Sequence, residues 1–92
     1  MYSLHPSKRY KKALKRLTRS GQFDWKKLDA VLDILASGNV LPPRYGNHSL
    51  QGKYADCFEC HIKSDLLLIY KIDEVERKIA VVRIGSHSDL FR

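Results

Sequence analysis

The chain has 92 residues, a hydrophobic fraction of 43% and a net charge of +7. That size gives one domain, residues 1–92, with a modest core, and no apolar run approaches the ~20 residues of a membrane helix. The N-terminus is basic but lacks the continuous apolar stretch of a secretory signal, so a cytoplasmic protein with no membrane partner is expected.

Residues 2–5 read as a short first strand, stopped by Pro6. Ser7 is a good N-cap for a helix running to Arg19, with Tyr10, Ala13, Leu14 and Leu17 as its apolar stripe. Gly21 ends it. Asp24 then caps a second helix, from Trp25 to Ser37, with Phe23 and Leu28 at the two staple positions and Gly38–Asn39 at its end. Trp25, Leu28, Val31, Leu32 and Leu35 form its core face. The short connection makes the two helices an antiparallel hairpin. Residues 40–54 hold Pro42–Pro43, Gly46–Asn47 and Gly52 and read as a loop. Three strands follow, at 55–63, 66–72 and 78–84. The second is almost wholly apolar and is the central one. In the first, Phe58, Cys60 and Ile62 point one way while Cys57, Glu59, His61 and Lys63 point the other. Residues 86–92 are a short tail. The expected fold is α+β: a helical hairpin packed on one face of a mostly antiparallel sheet of three to four strands.

Charge is unevenly spread. Residues 1–27 carry nine Lys or Arg against one acid, Asp24. Lys8, Arg9, Lys11, Lys12, Lys15, Arg16 and Arg19 concentrate that excess on the first helix, a patch that attracts polyanions. A solvated helix face or an acidic protein partner accounts for the same patch. Cys57 and Cys60 form a C-x-x-C, but residues three apart on a strand face opposite ways, and one pair cannot close a zinc site alone. Two reduced structural cysteines are expected.

The histidines carry the chemistry. His48, His61 and His87 lie in the C-terminal half with Asp65 and Arg83, while His5 stands apart. In a meander, His61 and Asp65 flank one turn, Arg83 comes back toward Asp65, His87 follows, and His48 folds over from the loop. RNA cleavage needs a base for the ribose 2′-hydroxyl, an acid for the leaving 5′-oxygen and a cation for the phosphorane. Histidine serves as either near neutrality, Arg83 supplies a planar cation, and Asp65 is a base or orients a histidine. Phe91 or Tyr54 stacks on a nucleobase. This scheme requires no metal and no cofactor. The structural alternatives are a turn-initiating Asp65, an ion-paired Arg83, a core Phe91 and a merely solubilising Lys53.

In order, His48-Ser49-Leu50-Gln51-Gly52, then His61, Asp65, Leu68-Ile69-Tyr70, Arg83-Ile84-Gly85-Ser86-His87 and Leu90-Phe91 resemble the YafQ branch of the RelE/ParE toxins. The similarity spans nearly the whole chain. It implies a RelE-like fold and a bacterial type II toxin, neutralised by a cognate antitoxin, that enters the ribosomal A site and cuts mRNA. Operator DNA would be met only through the antitoxin complex. The resemblance assigns acid–base work to His48, His61, Asp65 and His87, with His87 as general acid and the base left open among the other three. Arg83 would stabilise the phosphate and Phe91 would position a base. Lys53 and Tyr54 are further substrate contacts. Glu59 stands where close relatives carry another acid and would assist. The basic residues of the first helix would bind ribosomal RNA. Leu66, where a relative carries an aromatic, departs from the pattern at one stacking contact. Two other readings compete: a non-catalytic ParE-like toxin that inhibits a protein such as gyrase, and a plain basic nucleic-acid-binding module.

Overall fold

The first strand, β1 (Ser3–Pro6), is an edge strand, and Pro6 is tolerated there because no neighbour needs its missing N–H. The computed structural model describes residues 1–21 and 23–91. Gln22 and Arg92, the latter the last residue of the expected tail, lie outside the described residues. Ser7 starts α1 (Lys8–Arg19): its Oγ accepts from the Tyr10 N–H at 3.0 Å and donates to the Val82 carbonyl at 2.6 Å. The Ser7 N–H also donates to the Val81 carbonyl at 2.9 Å. One serine thus caps the helix and pins it to the sheet.

Asp24 opens α2 (Trp25–Ser37), its Oδ1 accepting from the N–H groups of Lys26 and Lys27. Gly38, left-handed at φ +82, closes α2; its N–H reaches the Leu35 carbonyl and that of Asn39 the Ile34 carbonyl, so two orphan carbonyls are satisfied. The chain then forms 3-10 turns at Pro43–Tyr45 and Gly52–Tyr54 around a two-residue strand, β2 (His48–Ser49). The strands β3 (Phe58–Lys63), β4 (Leu66–Asp73) and β5 (Lys78–Gly85) follow, then a short helix, α3 (His87–Phe91).

The sheet order is β1-β5-β4-β3-β2, with β1 parallel to β5 and every other pair antiparallel. β4 is central, as its apolar run requires. On one face, α1 lies by β5 and α2 by β3, and Tyr10, Ala13, Leu28, Val31 and Leu35 pack on Cys60, Ile62, Leu68, Tyr70, Ile79, Val81 and Ile84. Each large aliphatic side chain buried there contributes about 1.5–3 kcal/mol relative to exposure. A smaller cluster on the opposite face joins Tyr54, Cys57, Leu67, Ile69 and Leu90.

Several expectations need correction. The sheet has five strands, not three or four, because β2 adds an edge inside the expected loop. The first long strand starts at Phe58, since Asp56 takes a left-handed conformation at φ 70 that interrupts extended backbone. The expected tail is helical over His87–Phe91, and Leu90 from it is fully buried. Trp25 is 48% exposed rather than core: it stands at the first helical position, edge-on to Phe23. Among the described residues, no helix is long and apolar enough to cross a membrane.

Candidate active site

Cα partners across a sheet share a face, so register assembles the site. His48 pairs with Glu59, Glu59 with Ile69, and Ile69 with Arg83, giving one row across β2, β3, β4 and β5. The next row is His61, Leu67 and Gly85. Ile69 and Leu67 are the apolar floor on which the polar groups stand. Cys60 and Ile62, between the polar residues of β3, point into the helix-side core.

Arg83 reaches this face through a bulge. Ile79 and Val81 face the helices, so strict alternation would send Arg83 there too. Instead Ile69 pairs with Arg83 and Tyr70 with Val81, which leaves Val82 as an extra residue. The bulge resets the alternation and aims Arg83 at the polar face. Its Nη1 donates to the Tyr54 hydroxyl at 2.7 Å and its Nη2 to the Asp89 carbonyl at 3.4 Å. It was expected beside Asp65; the bulge turns it to Tyr54 and α3 instead. Among the described residues, every ion pair within 4.0 Å involves a histidine, so the guanidinium charge keeps no carboxylate partner there.

Asp65 serves His87. Its Oδ1 accepts from the His87 backbone N–H at 3.1 Å and lies 3.2 Å from His87 Nδ1. These bonds from His87, the backbone one foremost, hold the Asp65 carboxyl below its ordinary range. Asp65 is therefore a carboxylate, Nδ1 carries a proton toward it, and the other ring nitrogen, Nε2, faces the site.

Glu59 is the centre of the cluster. Its side chain is 5% exposed, against 57% for His48 and 58% for His87. Oε2 lies 2.5 Å from His48 Nε2, while Oε1 lies 4.0 Å from His87 Nε2 and is buried without a hydrogen-bond partner among the described residues. His48 Nδ1 lies 2.9 Å from the Gly46 carbonyl. A carbonyl only accepts, so Nδ1 carries a proton, and the short contact to Glu59 requires a second one shared between carboxylate and ring. The orphan oxygen is an acceptor waiting for a donor.

The His61 and His87 rings are 6.1 Å apart, and Phe91 lies 6.0 Å from His87 and 5.8 Å from Tyr54. Phe91 is 44% exposed. Tyr54, expected as a stacking platform, is buried and orients Arg83 instead, so its ring is not offered to a nucleobase. Lys53 is exposed, its Nζ 5.4 Å over the Tyr54 ring. Lys8, Arg9, Lys11, Lys12, Lys15, Arg16 and Arg19 are all exposed along α1. Cys57 and Cys60 are free thiols buried on opposite faces, and burial pushes the Cys60 thiol up to about 12.

Two contributors escape a reading of the sequence for titratable groups. Gly46, left-handed at φ 57, orients His48 through its carbonyl, and a Cβ on it would lie 3.0 Å from His61 Cδ2. Asp89 braces Arg83 through its carbonyl and helps cap α3: the Ser86 N–H donates to Asp89 Oδ2 and the Asp89 N–H to Ser86 Oγ. The signal was present, since Ser86 with an acid three residues on is the pattern of a capping box.

Residues 2–92 match the family model described as the bacterial toxin of the type II toxin–antitoxin system, YafQ. The mRNA interferase toxin YafQ of Escherichia coli K12 is 31% identical over 86 residues, which cover 92% of this chain and 90% of that protein. A crystal structure of a metal-bound toxin from Helicobacter pylori superposes with a TM-score of 0.91 at 44% identity, over 99% of this chain and all of that one. The toxin-like chain matched in the Escherichia coli DinJ–YafQ complex gives 0.87 at 27% identity over the full length of both. The chain belongs to the YafQ family of bacterial type II toxin–antitoxin toxins.

Proposed function

We propose that this toxin is a ribosome-dependent endoribonuclease that cuts mRNA in the A site by side-chain acid–base catalysis and so inhibits translation. The observation that carries the reading is the fixed orientation of His87. Asp65 holds its Nδ1, its Nε2 lies 4.0 Å from Glu59 Oε1, and its ring is 6.1 Å from that of His61, on the face where Arg83 shares a row with Glu59. His48 is bound at both ring nitrogens and Asp65 is engaged by His87, whereas the His61 ring nitrogens make no hydrogen bond among the described residues. That favours His61 as the base.

In this mechanism His61 removes the 2′-hydroxyl proton as O2′ bonds to phosphorus. The P–O5′ bond breaks, and His87 Nε2 gives its proton to the leaving O5′. The products are a 2′,3′-cyclic phosphate and a 5′-hydroxyl. Arg83 stabilises the charge on the phosphorane, Glu59 Oε1 accepts a hydrogen bond from the ribose, and Phe91 stacks on a base. The Escherichia coli relative is found in complex with DinJ. By the same logic this chain has a cognate antitoxin, through which alone it meets operator DNA.

Expression of wild type and His87→Ala without an antitoxin tests the reading. Growth arrest with cleaved mRNA is expected for wild type and neither for His87→Ala. Equal toxicity and cleavage in both would sink it. Arrest with intact mRNA and inhibited supercoiling would point to a ParE-like action instead.

A further inference from the structure

The basic face of α1 is not uniform. β1 pairs with β5 only as far as Pro6 opposite Val81, so the last residues of β5 have no strand on that side. Ser7 then ties the start of α1 to Val81 and Val82, beside that open edge. Between helix and edge lies a cleft of about 200 Å³ lined by Arg9, Lys12, Arg16, Arg83 and Asp89, with Ala13 and Ile84 at its base. Arg9 and Arg16 are two helical turns apart, about 10 Å along the axis. The three cations of α1 have no carboxylate within 4.0 Å among the described residues. Arg83 is a wall of both the cleft and the catalytic face, so the cleft runs around the sheet edge into the site.

We propose that this cleft binds backbone phosphates of the message next to the scissile bond, so that Arg9, Lys12 and Arg16 position the substrate strand rather than only ribosomal RNA. The proposal rests on the endoribonuclease reading and deepens it. An RNA strand with one phosphate at Arg83 must leave the site on some side, and this side offers a row of exposed cations spaced along one helix face. Guanidinium groups suit phosphate because they present parallel donors to it. Asp89 belongs to the same wall; its carboxylate is engaged at the Ser86 N–H, the start of α3. Lys12 also borders a second groove, lined with it by Lys11, Lys15 and Trp25, and Lys11 and Lys15, which do not line the cleft, stay available to ribosomal RNA.

The test is single-turnover cleavage on programmed ribosomes with messages carrying one neutral methylphosphonate at successive positions around the cut. Wild type should slow roughly tenfold for a neutral linkage at a phosphate neighbouring the cut, the loss of one charge-assisted contact. Arg9→Gln/Arg16→Gln should slow on the normal message and lose further sensitivity to that linkage, since the two changes remove one interaction. Lys26→Gln/Lys27→Gln, with the same charge loss elsewhere, should keep the wild-type pattern. Independent, additive losses would assign the cleft to ribosomal RNA and overturn the proposal. So would wild-type cleavage by the double variant, or a variant that cleaves normally but escapes its antitoxin. Thermal melts confirm that the variants fold. A wild-type protein that cuts no programmed message would instead mark failure of the endoribonuclease reading itself.

Discussion

The two faces of the sheet are built on opposite rules, although β3, like β4 and β5, contributes to both. Toward the helices it presents Cys60 and Ile62 to a continuous apolar core. Toward α3 it presents Glu59 and His61 over a thin floor of Leu67, Ile69 and Leu90. The first face satisfies what it buries. Among the described residues, the second keeps a carboxylate oxygen without a hydrogen-bond partner at Glu59 and a guanidinium with no carboxylate within 4.0 Å at Arg83. Stability is held on one side so that the other can tolerate groups that serve a substrate.

Substitutions that separate the faces sharpen this contrast. The largest effect on folding is expected on the helix side: Leu28→Ala should cost about 2–5 kcal/mol in urea unfolding, while protein that remains folded cleaves normally. A normal midpoint would break the division. On the site face Glu59→Gln should do the reverse. It removes a buried charge while the new amide N–H donates to His48 Nε2 in place of the shared proton, so stability should rise by about 1 kcal/mol and cleavage fall roughly tenfold or more. Loss of stability together with activity would show that Glu59 is structural. Ser7→Ala, which removes a cap and the bond to Val82, should lower stability by about 1 kcal/mol, read from thermal melts.

The smallest effect is the pH dependence at Asp65. Its folded pKa is lowered by the bonds from His87, so its contribution is complete above the ordinary value of about 3.9 and is lost as pH falls through the lower folded value. The stability gap between wild type and Asp65→Asn should therefore close in acid. A gap that is constant with pH would mean that the carboxylate charge is not what holds His87.

What the sequence revealed follows the length of each signal. α1 and α2 repeat an apolar stripe over several turns and carry Ser7, Asp24 and Gly38 at their ends, so they were legible. β4 was legible as an unbroken apolar run. β2 has two residues and α3 five, too short for any period, although Ser86 and Asp89 marked the latter. The convergence of His48, His61, Asp65 and His87 followed from strand order alone. The aim of Arg83 did not, because an extra residue in a bulge leaves no mark in the run Ile79-Ala80-Val81-Val82. Tyr54 and Trp25 were misjudged for a related reason. A turn aromatic can be swallowed by the core, and a first-turn aromatic can project beyond it.

The central claim is that His87, oriented by Asp65, delivers the proton to the leaving oxygen. Its most direct test is single-turnover cleavage of a programmed message by wild type and His87→Ala, with the product ends identified. Wild type should leave a 2′,3′-cyclic phosphate and a 5′-hydroxyl, and His87→Ala should be slower by about 10²–10⁴-fold with unchanged melting. A 5′-phosphate end, or equal rates for the two proteins, would contradict it.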